Sequence, residues 1–421
     1  MTKFRIPVPR VWHVPADAPT IAAGIDSAAF GDTVEVAAGT YHEYNLALEA
    51  GVYLRSEGRS AESVTIDAGE LGRVMAASYV DETCVVDGFT LTAGYPTSHG
   101  GGLYIQYASP VFRNCAIVGN AAGTPGSGHD GGGAYVREGS PLFEDCEFVG
   151  NDADGFGGAV FCKYAGTARF VRCIFRENTT STGGGGVYCN TSADAQFESC
   201  TFHGNGGADA GGVCATGTSD VTVENTIISF SAAGAGVYCD GTSSATLTCT
   251  DICGNTGGDW TGCVASQFGV NGNFSEDPLF CDAAAGELTI EPESPCAPDN
   301  SPAGCGLIGA DSVGCEAVIG VDGPVPSVPA AAFLGPAAPN PFNPTTTMSF
   351  GIPRAERVRI AVYDVSGRLV DVLIDDVFPA GEFSATWQGR NGAGEGATSG
   401  IYFARMRAGA FSETRKLVLM K

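Results

Sequence analysis

Aromatic side chains stand in the middle of five of six recurring triplets in this 421-residue chain. The triplets are Leu103-Tyr104-Ile105, Ala134-Tyr135-Val136, Val160-Phe161-Cys162, Val187-Tyr188-Cys189, Val213-Cys214-Ala215 and Val237-Tyr238-Cys239. Period-two alternation puts the outer members of a triplet on one face of a strand and the middle one on the other. The outer members are small or apolar throughout and are expected to line an interior. The middle ones, Tyr104, Tyr135, Phe161, Tyr188 and Tyr238, are then expected to point outward, interrupted only by Cys214. Rings stacked this way suit two roles. They make a platform for the C–H-rich faces of sugar rings, or a structural ladder that stabilises strand pairing as cross-strand aromatic pairs do.

Carboxylates offer a second chemistry. Asp130, Asp152, Asp154, Asp209 and Asp259 precede glycine runs at similar places in successive repeats. Oxygen ligands so spaced suit Ca²⁺ held between neighbouring repeats, and Asp also suits turns for its own local hydrogen bonding. Basic residues are few in the repeats: Arg113, Arg137, Lys163, Arg169, Arg172 and Arg176, which read as solvated strand and turn residues. His99 (in Ser98-His99-Gly100) and His129 (in Gly128-His129-Asp130) each adjoin a glycine turn and read as surface residues. No G-x-S-x-G, zinc-protease or phosphate-loop signature occurs. The glycine run at 183–186 is not followed by a helix that would bind phosphate.

A nine-residue pattern, F-x-x-C-x-[FI]-x-x-N, positions these groups. Its copies start at Phe112, Phe143, Phe170, Phe197, Val223 and Leu247, at separations of 31, 27, 27, 26 and 24 residues. The last two copies carry Thr226 and Thr250 in place of the cysteine. A period in this range marks a solenoid. Each repeat holds three short strands separated by Gly, Asn, Asp and Ser turns, with no crossover helix, which implies one coil of a parallel β-helix. The pattern cysteines share a face with the Phe or Ile two places on and are expected to point inward.

Sixteen cysteines, all between Cys84 and Cys315, suit an oxidising compartment. Coils stack ~4.8 Å apart, inside the ~4.4–6.8 Å Cα window of a disulfide. Cys115, Cys146, Cys173 and Cys200 are therefore candidates for bridges between coils. Cys162/Cys173 and Cys189/Cys200 offer a rival pairing within a coil, and Cys281, Cys296, Cys305 and Cys315 wrap the exit. Disulfides are the expectation; buried reduced thiols are the alternative.

The formal charge is -25. Residues 340–421 hold ten Lys/Arg and eight Asp/Glu, leaving 12 and 39 for residues 1–339. So acidic a surface repels nucleic acid and anionic lipid. No stretch is long and apolar enough to span a membrane. The opening MTKFRIPVPR is too polar and short for the apolar region of a signal peptide.

Along the chain, residues 1–50 read as an N-terminal cap with a helical turn after Pro19-Thr20 and a strand at Val34-Glu35-Val36. Residues 51–315 read as the coils with a cysteine-rich exit cap, 316–338 as a linker, and 339–421 as a small β-sandwich.

Two resemblances accompany this reading. The cap PTIAAGIDSAAFGDTVEVAAGTYHE, the GGGVYC and FESCTFHGN coils and the exit EDPLFCD…SPCAP resemble right-handed parallel β-helix proteins related to pectate lyase and to polymorphic outer-membrane proteins. PNPFNP, VYDVSGRLV, SGIYFARM and TRKLVLMK resemble the C-terminal sorting domain of type IX secretion cargo, which is similar to the Ig-like domain of flagellar hook-capping proteins. The second resemblance implies export from a Gram-negative-type bacterium to the medium or the outer cell surface, with the secretion machinery as partner of residues 339–421. The first fold hosts lyases, hydrolases, adhesins and inert spacers. The polygalacturonase residue set is not found in the coils; Ser98-His99-Gly100 and Gly128-His129-Asp130 come nearest. The whole therefore reads as an all-β chain, a right-handed parallel β-helix followed by an Ig-like sandwich. The function expected is non-catalytic, an adhesin-like or glycan-binding surface protein. A polysaccharide lyase or glycoside hydrolase is the first alternative, and a self-assembling element that stacks end to end is the second.

Overall fold

The computed structural model describes residues 9–315 except 125, and residues 332–420 except 343–344, 354–355, 379–380, 388, 392–395 and 410. The chain divides into two compact units, Met1–Ala317 and Val318–Lys421.

In the first unit, strands of mostly three or four residues repeat once per coil, as in Leu103–Gln106, Val111–Arg113 and Ala116–Val118. Equivalent strands of successive coils pair in parallel and build sheets of ten, eleven and nine strands. Phe112 pairs in register with Phe143, Phe143 with Phe170, and Phe170 with Phe197. All four are buried, and their rings stack at 5.1, 5.2 and 5.1 Å. Phe148, Phe175 and Phe202 form a second ladder at 5.0 and 4.4 Å. Each ring pair adds about 1 kcal/mol beyond its area burial. One register slip would therefore forfeit several pairs together.

Polar rows lock the same register. The ninth residue of the pattern is buried Asn120, Asn151, Asn178 or Asn205. The Asn151 amide N–H donates to Asn178 Oδ1 at 3.0 Å, and Asn178 N–H to Asn205 Oδ1 at 3.0 Å. Each Nδ2 reaches the carbonyl of a residue in the preceding coil, as Asn178 does to Phe148 O at 2.8 Å. The turn just before the cysteine position is left-handed in every coil. Asn114, Asp145, Arg172, Ser199 and Asn225 have φ between 49° and 53°.

Both ends of the coil stack are covered. At the start, helix Ile21–Ser27 is capped by Thr20, which accepts from Ala23 N–H, and by Glu43, whose carboxylate accepts from Ile21 and Ala22 N–H at 2.8 and 2.9 Å. At the far end, the 3₁₀ turn Gly262–Gln267 places Val264 in the main core. There Gln267 donates to Ala245 O and accepts from Leu247 N–H, both at 2.8 Å. Unpaired strand edges recruit other chains, and this turn occupies that edge.

The exit segment does more than close the end. Phe274 bridges Asp251 of the last coil, and the residues beyond it fold back along the outer face of the nine-stranded sheet. Ala310 N–H donates to Thr201 Oγ1 at 2.9 Å and Gly309 N–H to Asn225 O at 2.8 Å. Ile227, Ile290, Cys296 and Ile308 form a separate small core there.

In the second unit, a three-stranded antiparallel sheet (Phe333–Ala338, Thr346–Ile352, Gly381–Trp387) and a four-stranded one (Glu356–Asp364, Leu369–Phe378, Gly400–Ala408, Phe411–Leu419) share a core of Leu334, Phe350, Val358, Val362, Trp387, Met406 and Leu417 among others. The first strand lies within the segment read as linker, so the sandwich begins at Phe333. The rest of that segment up to 331 lies outside the described residues.

Candidate functional site

The outward column forms as the alternation requires. Tyr104 pairs with Tyr135, Tyr135 with Phe161, Phe161 with Tyr188, Tyr188 with Cys214, and Cys214 with Tyr238. The first four rings stack at 5.4, 5.5 and 5.6 Å. They belong to a core of their own with Ala210, Cys214 and Phe156, distinct from the coil interior.

Loops cover this column. Tyr135, Phe161 and Tyr188 are only 4%, 2% and 5% exposed. A sugar ring has no open face to lie on at these three, which corrects the expectation of a continuous platform. The inward glycine runs explain the cover: a Cβ on Gly183 would meet the Tyr188 ring at 2.3 Å, so the loop lies directly on it. Tyr104 stays half-buried and Tyr238 is 38% exposed.

At one end of the column the two histidine motifs, read as separate surface turns, come together. His99 stacks on Tyr135 at 4.6 Å and meets His129 edge-on at 5.3 Å. His99 Nδ1 accepts from Asp130 N–H at 2.9 Å, and Asp130 Oδ2 lies 3.4 Å from the same nitrogen. The Arg73 guanidinium caps Tyr104 at 4.4 Å. Burial pulls the His99 imidazole below its ordinary value and pushes the Asp130 carboxyl up. With Nδ1 accepting, His99 is held as the neutral Nε2–H tautomer. Asp130 Oδ1 is occupied by Phe156 N–H at 2.9 Å. Asp130 is buried and the two imidazoles are half-buried, so the arrangement is a structural knot with the elements of an acid–base couple in which His99 Nδ1 is already taken.

Four of the five carboxylates proposed for Ca²⁺ are engaged by neighbouring donors, Asp130 by Phe156 N–H as above. Asp154 accepts from Gly126 and Gly128 N–H, Asp152 from Thr179 Oγ1 at 2.6 Å, and Asp259 from Asn255 N–H and Nδ2, both at 2.8 Å. Asp209 is exposed. Among the described residues no three His, Cys, Asp or Glu side chains form a metal-binding group, so Asp130, Asp152, Asp154 and Asp209 do not assemble into a site. Carboxylates one coil apart turn to different amide and hydroxyl donors instead of to a shared centre. Of the basic residues, Arg113 and Arg172 pair with Glu144, and Arg172 also with Asp145.

The cysteines depart most from expectation. Cys115, Cys146, Cys173 and Cys200 are stacked, buried and reduced, as are Cys162 and Cys189, and Cys296 is buried and reduced in the exit segment. In-register parallel strands point equivalent side chains the same way. Their Cβ atoms are then as far apart as their Cα atoms, ~4.8 Å, beyond the ~3.8 Å a disulfide needs. The thiols serve as weak donors instead: Cys146, Cys173 and Cys200 Sγ reach Phe112, Phe143 and Phe170 O at 3.5, 3.4 and 3.4 Å. Thr250 does the same with its hydroxyl, to Val223 O at 3.3 Å. Burial pushes the Cys115, Cys146 and Cys173 thiols far up, which keeps them unreactive. Disulfides form only around the far end and exit: Cys239–Cys263, Cys249–Cys305 and Cys281–Cys315.

One row of aromatic residues escaped the sequence reading. Tyr79, Tyr107 and Tyr164 each stand one residue past a strand of the eleven-stranded sheet. Each lies three places after the middle position of its coil, and that spacing was the available signal.

The comparisons agree with this architecture. Residues 50–228 and 166–277 match the right-handed β-helix region, together more than half of the chain. The chain belongs to the right-handed β-helix family. Residues 337–420 match the secretion system C-terminal sorting domain, of the type IX kind. No curated protein matches the chain. It is thus a β-helix protein with a sorting domain, secreted or displayed at the outer cell surface of a Gram-negative-type bacterium. No helix among the described residues is long and apolar enough to cross a membrane.

Proposed function

We propose that this exported β-helix is a non-catalytic, adhesin-like surface protein whose ligand is an extracellular glycan. The observation that carries the reading is how the His99–Asp130 pair is engaged. This is where the coils bring an acid and two imidazoles together, and His99 Nδ1 and Asp130 Oδ1 are both taken by backbone N–H groups, those of Asp130 and Phe156. A catalytic acid or base must instead reach a proton of its substrate. Tyr238, the most exposed ring of the column, is available to a glycan, whereas Tyr104 is stacked by Tyr135 and capped by Arg73. Binding to an array of extracellular glycans, without release of reducing ends or unsaturated products from the same glycans, is the expected result. Depolymerisation that disappears in His99→Ala would replace this reading with a lyase or hydrolase. Stacking of rods end to end is disfavoured by the 3₁₀ turn Gly262–Gln267 on the last coil; a concentration-independent sizing profile is expected.

A further inference from the structure

At the corner that follows the eleven-stranded sheet, Ser78, Gln106, Arg137 and Lys163 are aligned across four coils. The next residues, Tyr79, Tyr107, Glu138 and Tyr164, have φ between 51° and 65°. Left-handed backbone disfavours bulky side chains and suits Gly, Asn and Asp. The opposite corner follows that rule more closely, with Asn114, Asp145, Ser199 and Asn225 among its residues. Tyrosine at three of these four positions has no conformational reason. Burial supplies none either for the first two, since Tyr79 is 78% exposed and Tyr107 37%. Strain held against local preference is a mark of function.

These side chains make one ledge. The Tyr79 and Tyr107 rings stack at 5.3 Å and 14°. The Arg137 guanidinium lies 5.9 Å from the Tyr107 ring and 5.2 Å from the Tyr164 ring, so it bridges the gap at Glu138. Lys163 Nζ lies 5.3 Å from the Tyr164 ring. Arg137 Nε makes no hydrogen bond, and its ion pair with Glu138 Oε1 is long, at 3.5 Å. Lys163 forms no salt bridge among the described residues, whereas Arg55, Arg113 and Arg172 are all held by acids. Tyr79 to Tyr164 is three coil steps, roughly 14 Å at ~4.8 Å per coil, a length that admits a short oligosaccharide.

We infer that this ledge binds a carboxylated glycan, a uronate-bearing chain whose pyranose faces rest on the tyrosines while its carboxylates meet Arg137 and Lys163. Arginine's planar fork matches a carboxylate. Elsewhere the surface of residues 1–339 is acidic, 39 Asp/Glu against 12 Lys/Arg, and repels such a ligand. The local pair of cations therefore supplies both attraction and register. This inference rests on the glycan-binding reading and names its site and ligand class.

The test is calorimetric titration of the full chain, with chelator present, using uronic acid oligomers, the matching neutral hexose oligomers and sulfated oligomers. Wild type is expected to bind the uronate oligomers at least tenfold more tightly than the neutral ones. Tyr107→Asn, which suits the left-handed corner and so preserves folding, is expected to weaken both at least tenfold. Lys163→Gln is expected to lower uronate affinity severalfold and leave neutral affinity unchanged. Unchanged binding in Tyr107→Asn overturns the ledge and leaves the glycan reading standing. Equal affinity for uronate and neutral oligomers, or preference for the sulfated ones, overturns the ligand class. No binding to any oligomer overturns the ledge and the glycan reading together.

Discussion

The asparagine row permits a quantitative prediction. Asn178→Ala removes four hydrogen bonds: Nδ2 to Phe148 O at 2.8 Å, Nδ2 to Asn205 Oδ1 at 2.9 Å, and those its Oδ1 accepts from Asn151 N–H at 3.0 Å and Asn151 Nδ2 at 2.9 Å. Asn178 and Asn151 are both 0% exposed, so water cannot replace the lost partners. At about 1 kcal/mol net for each bond, with a further cost of about 1–3 kcal/mol for stranding the Asn151 amide, the loss is roughly 5–7 kcal/mol. Coils contact only their neighbours, so the damage should concentrate between the coils carrying Asn151 and Asn205. Urea unfolding of the full chain followed by circular dichroism reads the total, and hydrogen exchange at the Asn151 amide reads the local effect. Asn178→Ser should fall between Ala and wild type. Serine already occupies this row at Ser231, whose hydroxyl reaches Asn255 Oδ1 at 2.6 Å. A loss below about 1 kcal/mol with Asn151 still protected would refute the idea that this row locks the register.

Three further outcomes are expected. Thiol titration of the unfolded, unreduced protein should count ten free thiols, rising to sixteen after reduction, while the folded protein should react first at half-buried Cys253. A count near zero would mean the stacked cysteines are bridged. Cys200→Thr should cost under about 1 kcal/mol in thermal unfolding, because Thr226 and Thr250 fill the same row, whereas Cys200→Leu should overpack it by roughly 1–3 kcal/mol. Asp251 is fully buried, and burial pushes its carboxyl up to about 8 from 3.8. An acid raised on folding binds more protons folded than unfolded. Its contribution is present at low pH and is lost as pH climbs from about 4 to about 8, by at most about 1.4 kcal/mol per pH unit. Asp251→Asn should flatten the pH dependence of stability across that window, and an unchanged slope would place the proton elsewhere.

The register of the Phe rows was legible because two apolar periods, one within the strand and one per coil, leave a single consistent stacking. The triplets told which residues leave the interior, and Tyr188 does lie outside it. Whether an outward residue then meets water was not legible. That depends on where the Gly-rich loops at 99–102, 128–133 and 181–186 fold, and their sequences favour turns without naming a direction.

From its residues alone the chain determined an all-β coil, its inner and outer faces, and a sorting domain distinct from it, because periodic burial is written into residue order. Tertiary structure decided what order cannot express: that equal Cβ spacing keeps the cysteine rows reduced, that loops close over Phe161, and that His99 meets Asp130 from the next coil. It also set Tyr79, Tyr107, Arg137, Tyr164 and Lys163 on one ledge. Those outcomes depend on distances between atoms of different coils, which exist only once the coils have stacked.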